Sequence, residues 1–409
     1  MRIRTCSICL PGMVLTLAIF VASAHAQPVQ FQRYSTAEGL SSHAVTAVLQ
    51  DSRGFVWVGT YDGLNRYDGR RFVRYPVGGA YLTDDAVLPG ALLEHAGGLW
   101  IGTVNGLNRL DLATNRVDRF LEASPADAAP VAGAITSMAA TDTASLWVGT
   151  RSGLWRLDIA TRTMEAYAVD ADTIPGARLV MALHVDATGG LWTGTSSGLY
   201  RFDAGRNAFS RVETPEPLPV VPVTALQTMS DGALWMGILG GGVIRLEPGS
   251  RAWATVRRPR EVVNAEHHRV YAMAEDHAGT IWITSFGDGV CAYGGAPDAW
   301  SCATHALDDP RSLSDNQTTS LHVDRSGNLF VGTWNGLSKL RSPKAFTVYP
   351  ADHDAPGLHL SHPRVNAIHE ARDGALWVGL YGEVGSAGSS GRHTLALRRT
   401  PGSRQPQQQ

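Results

Sequence analysis

Apolar and polar residues alternate with a period of two over short runs along most of this chain, and glycine-centred turns separate the runs. The first set reads Val45-Thr46-Ala47-Val48-Leu49, a turn through Asp51-Ser52-Arg53-Gly54, then Phe55-Val56-Trp57-Val58-Gly59 and a turn ending in Gly63. Leu64-Asn65-Arg66-Tyr67 and Phe72-Val73-Arg74-Tyr75 follow, separated by Asp68-Gly69. This pattern predicts four strands joined by hairpin turns. The unit recurs: aligned on Leu/Ile-Trp-Val-Gly-Thr, it places Trp57, Trp100, Trp147, Trp192, Trp235, Trp282, Phe330 and Trp377 at one position, 43 to 48 residues apart. Seven of the 11 tryptophans fall there, so the position is a core position of a repeat. Glycines recur three residues before the aromatic and six or seven after it, where turns need positive φ.

Four-stranded units of this length cannot bury their own faces and must stack, either radially as propeller blades or linearly as a solenoid. Phe31-Gln32-Arg33-Tyr34 repeats the fourth-strand pattern of Phe72-Val73-Arg74-Tyr75 ahead of the first complete unit. A closed ring needs such a strand to complete its last blade, and a solenoid does not. The predicted fold is therefore an all-β, seven-bladed β-propeller with four antiparallel strands per blade, spanning 27–345. An eight-bladed ring, or an incomplete second array opened by Phe346-Thr347-Val348-Tyr349, is the alternative. Residues 346–382 read as a further partial repeat, which fails beyond Gly382, and 383–409 as an irregular or disordered tail. The expectation is that the chain stops inside a longer array, by truncation or by a reading-frame change near Gly382.

Two features modify this picture at the N-terminus. Met1-Arg2-Ile3-Arg4, the apolar stretch Met13 to Ser23 and Ala24-His25-Ala26 form a secretory leader, predicted to be cleaved after Ala26 to leave Gln27 first. No later stretch has 18 apolar residues, so no membrane span is expected in the mature chain, which is predicted to be periplasmic. The 35 basic and 37 acidic side chains nearly cancel, which argues against nucleic acid as a partner. Cys291 and Cys302 flank Gly294-Gly295-Ala296-Pro297, and a hairpin about that turn sets them opposite each other. A disulfide forms only if the register points both to one face.

The segment Asp51 to Asp68, preceded by Phe31 to Ser42, resembles the two-component regulator propeller repeat, and the resemblance extends over about residues 31 to 382. The resemblance implies the periplasmic sensor region of hybrid histidine kinases and of some diguanylate cyclases, whose members carry two seven-bladed propellers, an immunoglobulin-like domain, a transmembrane helix and a cytoplasmic signalling module. The chain has no phosphoacceptor, ATP-binding or cyclase signature, so what the resemblance implies is a sensor region cut short of its output and not an enzyme. No cofactor motif is present.

Candidate chemistry is thin. Gly194-Thr195-Ser196-Ser197-Gly198 satisfies G-x-S-x-G, but the hydrolase elbow needs a strand, a sharp turn and a helix, and the repeat puts this segment in a strand-turn-strand hairpin. His267-His268 lacks the spacing of a metal site and reads as a loop before the strand at Val270. Asp170-Ala171-Asp172 and Asp352-His353-Asp354 read as turns, because neither continues as a calcium loop. No catalytic or metal-ligating residue is assigned.

Binding is better supported. In a propeller the turns between second and third strands gather around the channel on one face. Those turns carry Tyr61, Asp62, Asn105, Arg151, Phe286, Asp288, Trp334 and Asn335, the candidate ligand-binding residues. Tyr61, Phe286 and Trp334 fall in the first, sixth and seventh blades, neighbours in a seven-membered ring, so their rings should line one arc of the mouth. Aromatics among amides and carboxylates suit a small polar ligand, an oligosaccharide rather than a charged metabolite. A propeller lyase or glycosidase, which needs converging acids or His, and a protein-interaction scaffold are the competing readings. Ligand identity and oligomeric state, a dimer included, are not fixed by the sequence.

Overall fold

The computed structural model describes residues 29–75, 82–122, 134–169, 179–249, 252–257, 268–296 and 299–341, together with the strands at 365–370, 376–380, 393–398 and 407–408. The chain divides into two compact units, Met1–Ser342 and Pro343–Gln409. Seven four-stranded antiparallel sheets make up the first unit and close into a seven-bladed β-propeller. Their inner strands are Val45–Gln50, Val87–His95, Ile135–Ala139, Val180–Val185, Val223–Thr228, Val270–Glu275 and Thr318–Val323, which define blades one to seven. The described residues contain no α-helix, and the 3-10 turn Thr36–Glu38 precedes the first blade.

Blades one to six each use four consecutive strands, whereas blade seven borrows its outer strand from the start of the chain. Phe31–Tyr34 pairs antiparallel with Gly336–Leu340, with Phe31 opposite Leu340 and Tyr34 opposite Leu337. The Phe31 amide donates to the Arg311 carbonyl (2.7 Å) and the Arg33 guanidinium to the Asp309 carbonyl (2.8 Å). Inner strands of blades one and seven pack together, so the ring closes at seven and the eight-bladed alternative falls away. The second unit holds one further sheet, in the order Val365–Glu370, Leu376–Leu380, His393–Arg398, Gln407–Gln408. Its last two strands lie in the stretch expected to be irregular, the first of them on the alternating run Thr394-Leu395-Ala396-Leu397. The leader, Phe346 to Tyr349 and both Asp-x-Asp turns lie outside the described residues.

Each of the seven apolar clusters lies at a boundary between two blades, and the repeated aromatic is the link. Trp57 packs with Val87 and Leu99 of blade two, Trp100 with Ile135 and Val148 of blade three, and Trp147 with Val180 and Tyr200 of blade four. Trp235 meets Val270 and Ile283, Trp282 meets Leu321 and Val331, and Phe330 closes the circle against Val45 and Val58. Two residues after the aromatic, a glycine lets the sheets approach. A Cβ on Gly59 would stand 2.6 Å from the Val87 Cγ1 that opens the next blade, and one on Gly332 would stand 2.7 Å from that of Val45.

The indole is also anchored within its own blade. Trp57, Trp192 and Trp282 donate from Nε1 to the aspartate six residues earlier, at 2.9, 2.7 and 2.9 Å to Asp51, Asp186 and Asp276. The same carboxylates accept turn amides, which is why in these three blades the strand-turn-strand begins with Asp and ends with the aromatic. Burial works against the Asp186 carboxylate, but hydrogen bonds from Thr188 and Trp192 and from turn amides outweigh it and hold its pKa at about 2. In blade five Met229 stands where the aspartate would be, and the buried Trp235 Nε1 has no partner.

Imidazoles stitch two boundaries. His322 accepts the Gln50 amide on Nε2 (3.0 Å), joining blade seven to blade one, and His184 accepts the Thr228 amide (3.1 Å), joining four to five. Burial holds both below the ordinary value of 6.5, His322 at about 4. In blade six Cys291 and Cys302 stand opposite each other in register, with Cα atoms 3.9 Å apart, and a disulfide joins them.

Two outcomes are expected. Trp147→Ala, which empties a fully buried indole site, should cost about 3–5 kcal/mol in denaturant unfolding, and Trp192→Ala, at a half-buried site, less. A neutral His322 in the fold and an ordinary one in the unfolded chain mean stability that is complete above pH 6.5 and lost as pH falls towards 4. His322→Gln, which keeps an acceptor for Gln50, should flatten the unfolding midpoint against pH across that window, and adding His184→Gln should flatten it further.

Candidate ligand-binding site

A recurring hydrogen bond places the second-to-third-strand turns over the mouth of the channel. The amide of the first turn residue donates to the carbonyl of the residue just before the inner strand: Tyr61 to Ala44 (3.3 Å), Val104 to Ala86 (3.0 Å), Leu239 to Pro222 (3.2 Å), Phe286 to Arg269 (3.1 Å) and Trp334 to Gln317 (3.1 Å). A threonine ending the second strand tightens the turn, as where Thr60 accepts the Asp62 amide (3.0 Å) and donates to the Gly63 carbonyl (2.9 Å). The side chain of that first turn residue is thereby held at the rim.

Blades six, seven and one place aromatics there in series. Phe286 and Trp334 meet edge to face with centroids 5.8 Å apart, and Trp334 and Tyr61 at 6.2 Å. Tyr271, on the inner strand of blade six, extends the arc at 6.2 Å from Phe286. Tyr61 is 41 % and Trp334 46 % exposed, so the arc offers ring surface to solvent. The arc borders a cavity of about 390 Å³ lined also by Leu88 and Pro89 of blade two, Thr136 and Arg151 of blade three, Leu179 to Met181 of blade four and Arg269 of blade six. The Arg269 guanidinium lies 4.7 Å from the Tyr271 ring centroid. Burial lowers the Arg269 pKa, with the Arg151 charge acting in the same direction, and burial raises the Tyr61 hydroxyl.

Of the candidate residues, the structure gathers Tyr61, Phe286 and Trp334 into one arc and puts Arg151 in the adjoining cavity. Asp62, Asn105 and Asn335 are exposed on the same turns, Asn105 donating to Asp84 (2.5 Å). Asp288 differs. It is buried, its carboxylate taken by Arg257 (2.9 Å) with Ser285 at 3.2 Å and His268 at 3.7 Å, because Gly287 and Gly289 on either side turn it back into the sheet. Ser196 sits in the hairpin between Leu191–Thr195 and Gly198–Asp203, where no helix follows. Sequence reasoning missed Arg269 and Tyr271. The signal was available at the residue before each inner strand, which reads Ala44, Ala86, Ala134, Leu179, Pro222, Arg269 and Gln317, with one charged residue among the seven.

The architecture is thus a seven-bladed propeller with an open, aromatic-edged mouth, and comparison with known proteins gives it a family context. Residues 39–62, the turn into blade one with its first two strands, match the family model of the two component regulator propeller. The chain therefore carries the two-component regulator propeller repeat, as the resemblance in its sequence implied. A 45-residue segment is 44% identical to histidine kinase P4 of Formosa agariphila, covering 11% of this chain and 3% of that protein. Among solved structures, the extracellular domains of two hybrid two-component systems from B. thetaiotaomicron superpose with TM-scores of 0.64 and 0.63 at 17% and 20% identity, each over 90% of this chain. The chain spans 52% and 48% of those domains, about half their length. A streptogramin B lyase shares the fold at a TM-score of 0.58 and 13% identity, over 76% of this chain and 97% of that one.

Asp288→Ala should leave Arg257 buried without its counter-charge and cost about 3–5 kcal/mol in thermal or denaturant unfolding. Asn335→Ala, on the exposed rim, should stay within about 0.5 kcal/mol of the parent.

Proposed function

We propose that this propeller is the exported ligand-sensing region of a two-component-type signalling protein and that it binds an oligosaccharide at the mouth of its channel. The observation that carries this reading is the arc of Tyr271, Phe286, Trp334 and Tyr61, four rings in series across three blades with centroids 5.8 to 6.2 Å apart, two of them about half exposed. Rings in this setting present apolar faces to the C–H faces of a pyranose, while Asp62 and Asn335 stand beside them to hydrogen-bond hydroxyls. Solved structures that share the fold include extracellular domains of hybrid two-component systems, which agrees with export and a periplasmic site of action. Signal output then belongs to a further module, and the role of this region is recognition.

The lyase reading has less behind it. Catalysis of that kind needs a general acid or base at the reacting bond. The described residues that line the cavity include tyrosine, threonine and arginine but neither carboxylate nor imidazole.

Titration calorimetry of the mature protein against a panel of glycan fragments tests the reading. At least one oligosaccharide should bind, Trp334→Ala should weaken it about tenfold or more, and Ser196→Ala, across the ring, should leave it unchanged. Equal affinity in all three proteins would place the site elsewhere. Expressed with its leader in a Gram-negative host, the chain should be recovered from the periplasm with Gln27 at its N-terminus, and a cytoplasmic product retaining Met1 would refute the export assignment.

A further inference from the structure

We infer that the mouth is built for an anionic ligand, whose carboxylate or sulfate group sits between Arg151 and Arg269 while the ring that carries it lies on the aromatic arc. This rests on the proposed function only in placing the ligand at the mouth, and it changes the expected chemistry from neutral to acidic.

The two arginines reach one cavity from opposite sides of the ring, Arg151 from the turn of blade three and Arg269 from the entry to blade six. Several other arginines of the propeller are paired with carboxylates: Arg53 with Asp51, Arg156 with Asp142, Arg245 with Asp231 and Arg257 with Asp288. Among the described residues neither Arg151 nor Arg269 has a carboxylate partner, and the buried Nε of Arg269 has no hydrogen-bond partner at all. A desolvated guanidinium without a counter-charge is costly, and the Tyr271 ring recovers only part of that cost. An oxyanion entering the cavity would complete it, since guanidinium groups bind carboxylate and sulfate oxygens through paired N–H donors.

The acidic groups of this face lie apart from the pair. Asp62, Asp84 and Asp85 gather between blades one and two, where burial and mutual repulsion raise the Asp85 pKa, and Asp288 is spent on Arg257. The cavity therefore joins two uncompensated cations to an apolar wall of Leu88, Pro89 and Val180, with Tyr61 and Tyr271 at its edge. A uronate or a sulfated sugar ring carries the matching combination of one apolar face and one fixed negative charge.

Calorimetry with digalacturonate, galactobiose and inorganic sulfate as probes tests this. Digalacturonate should bind the parent protein at least about tenfold more tightly than galactobiose, which differs by its uncharged C6 groups, and should lose most of that advantage between about 0.05 and 0.5 M salt. Arg151→Gln, at an exposed position where folding is not in question, should remove the difference between the two sugars, and Arg269→Lys should weaken digalacturonate while keeping the charge. Sulfate should compete with digalacturonate in the parent and not in Arg151→Gln. Equal affinity for both sugars, or binding of neither digalacturonate nor sulfate, would overturn the inference. The two readings separate at Trp334→Ala: galactobiose binding lost there, with no preference for the acid in the parent, leaves the aromatic site and removes the anion site. Digalacturonate binding that depends on Arg151 but not on Trp334 does the reverse.

Discussion

The structure depends on how closely each blade can approach the next. At six of the seven boundaries the glycine two residues after the repeated aromatic faces the β-branched residue that opens the following inner strand: Gly59 on Val87, Gly102 on Ile135, Gly149 on Val180, Gly194 on Val223, Gly237 on Val270 and Gly332 on Val45. A side chain at any of them would have to occupy space the neighbour already fills, and close-packed interiors have none to give. With the glycine in place the aromatic beside it reaches the next sheet and is buried there, and the repeat length follows from having to present that pair once per blade. Blade six is the exception. There Thr284 replaces the glycine, and the facing position of blade seven is Thr318, whose hydroxyl donates to the Ser285 and Gly289 carbonyls.

Closure follows from the same contact used for the last time. Gly332 on Val45 joins blade seven to blade one, and the seam is held further by the Phe31–Tyr34 strand, the Thr319 hydroxyl on the Val45 carbonyl (2.5 Å), His322 under the Gln50 amide and the Arg325 guanidinium on the Ser52 carbonyl (3.1 Å), among other bonds. Six boundaries are formed by blades adjacent in sequence, and this one joins residues about 270 positions apart. It carries the loop-closure entropy of nearly the whole domain, which explains the concentration of hydrogen bonds there.

Most of this architecture was legible because it is periodic. The Trp position, the two glycine sets and the strand at Phe31 are visible as soon as the units are aligned, and together they fix strand order, closure and the facing of the turns. The aromatic arc was legible for the same reason, since Tyr61, Phe286 and Trp334 share one repeat position and the ring makes their blades neighbours. What the sequence concealed is aperiodic. Asp288 looked like a rim residue by its register, yet its fate was decided by Arg257, on the outer strand of the preceding blade. Arg269 belongs to a connection between blades, and nothing local says that its side chain turns into a cavity shared with Arg151, more than a hundred residues earlier. An eight-bladed ring stayed open as the alternative because Trp377 falls on the repeat position after Phe330, although its unit fails beyond Gly382. Pairing of Phe31–Tyr34 with Gly336–Leu340, a contact between strands about 300 residues apart, decides the blade number.

The site and the seam coincide. Tyr61 and Trp334 meet edge to face across the boundary between blades one and seven, so the blade-one end of the aromatic arc is joined to the rest only while the ring is closed. A ligand lying along the arc would contact both sides of the boundary with the largest sequence separation and would favour the closed ring by mass action, stabilising it as any ligand specific for the native state does. The stabilisation would appear at the seam itself, in the strand Phe31–Tyr34 and the Gln50 amide beneath His322, rather than evenly around the propeller. Occupancy of the mouth by such a ligand would thereby be coupled to the order of the N-terminal strand on the outer edge of blade seven, without any rearrangement of the blades between them.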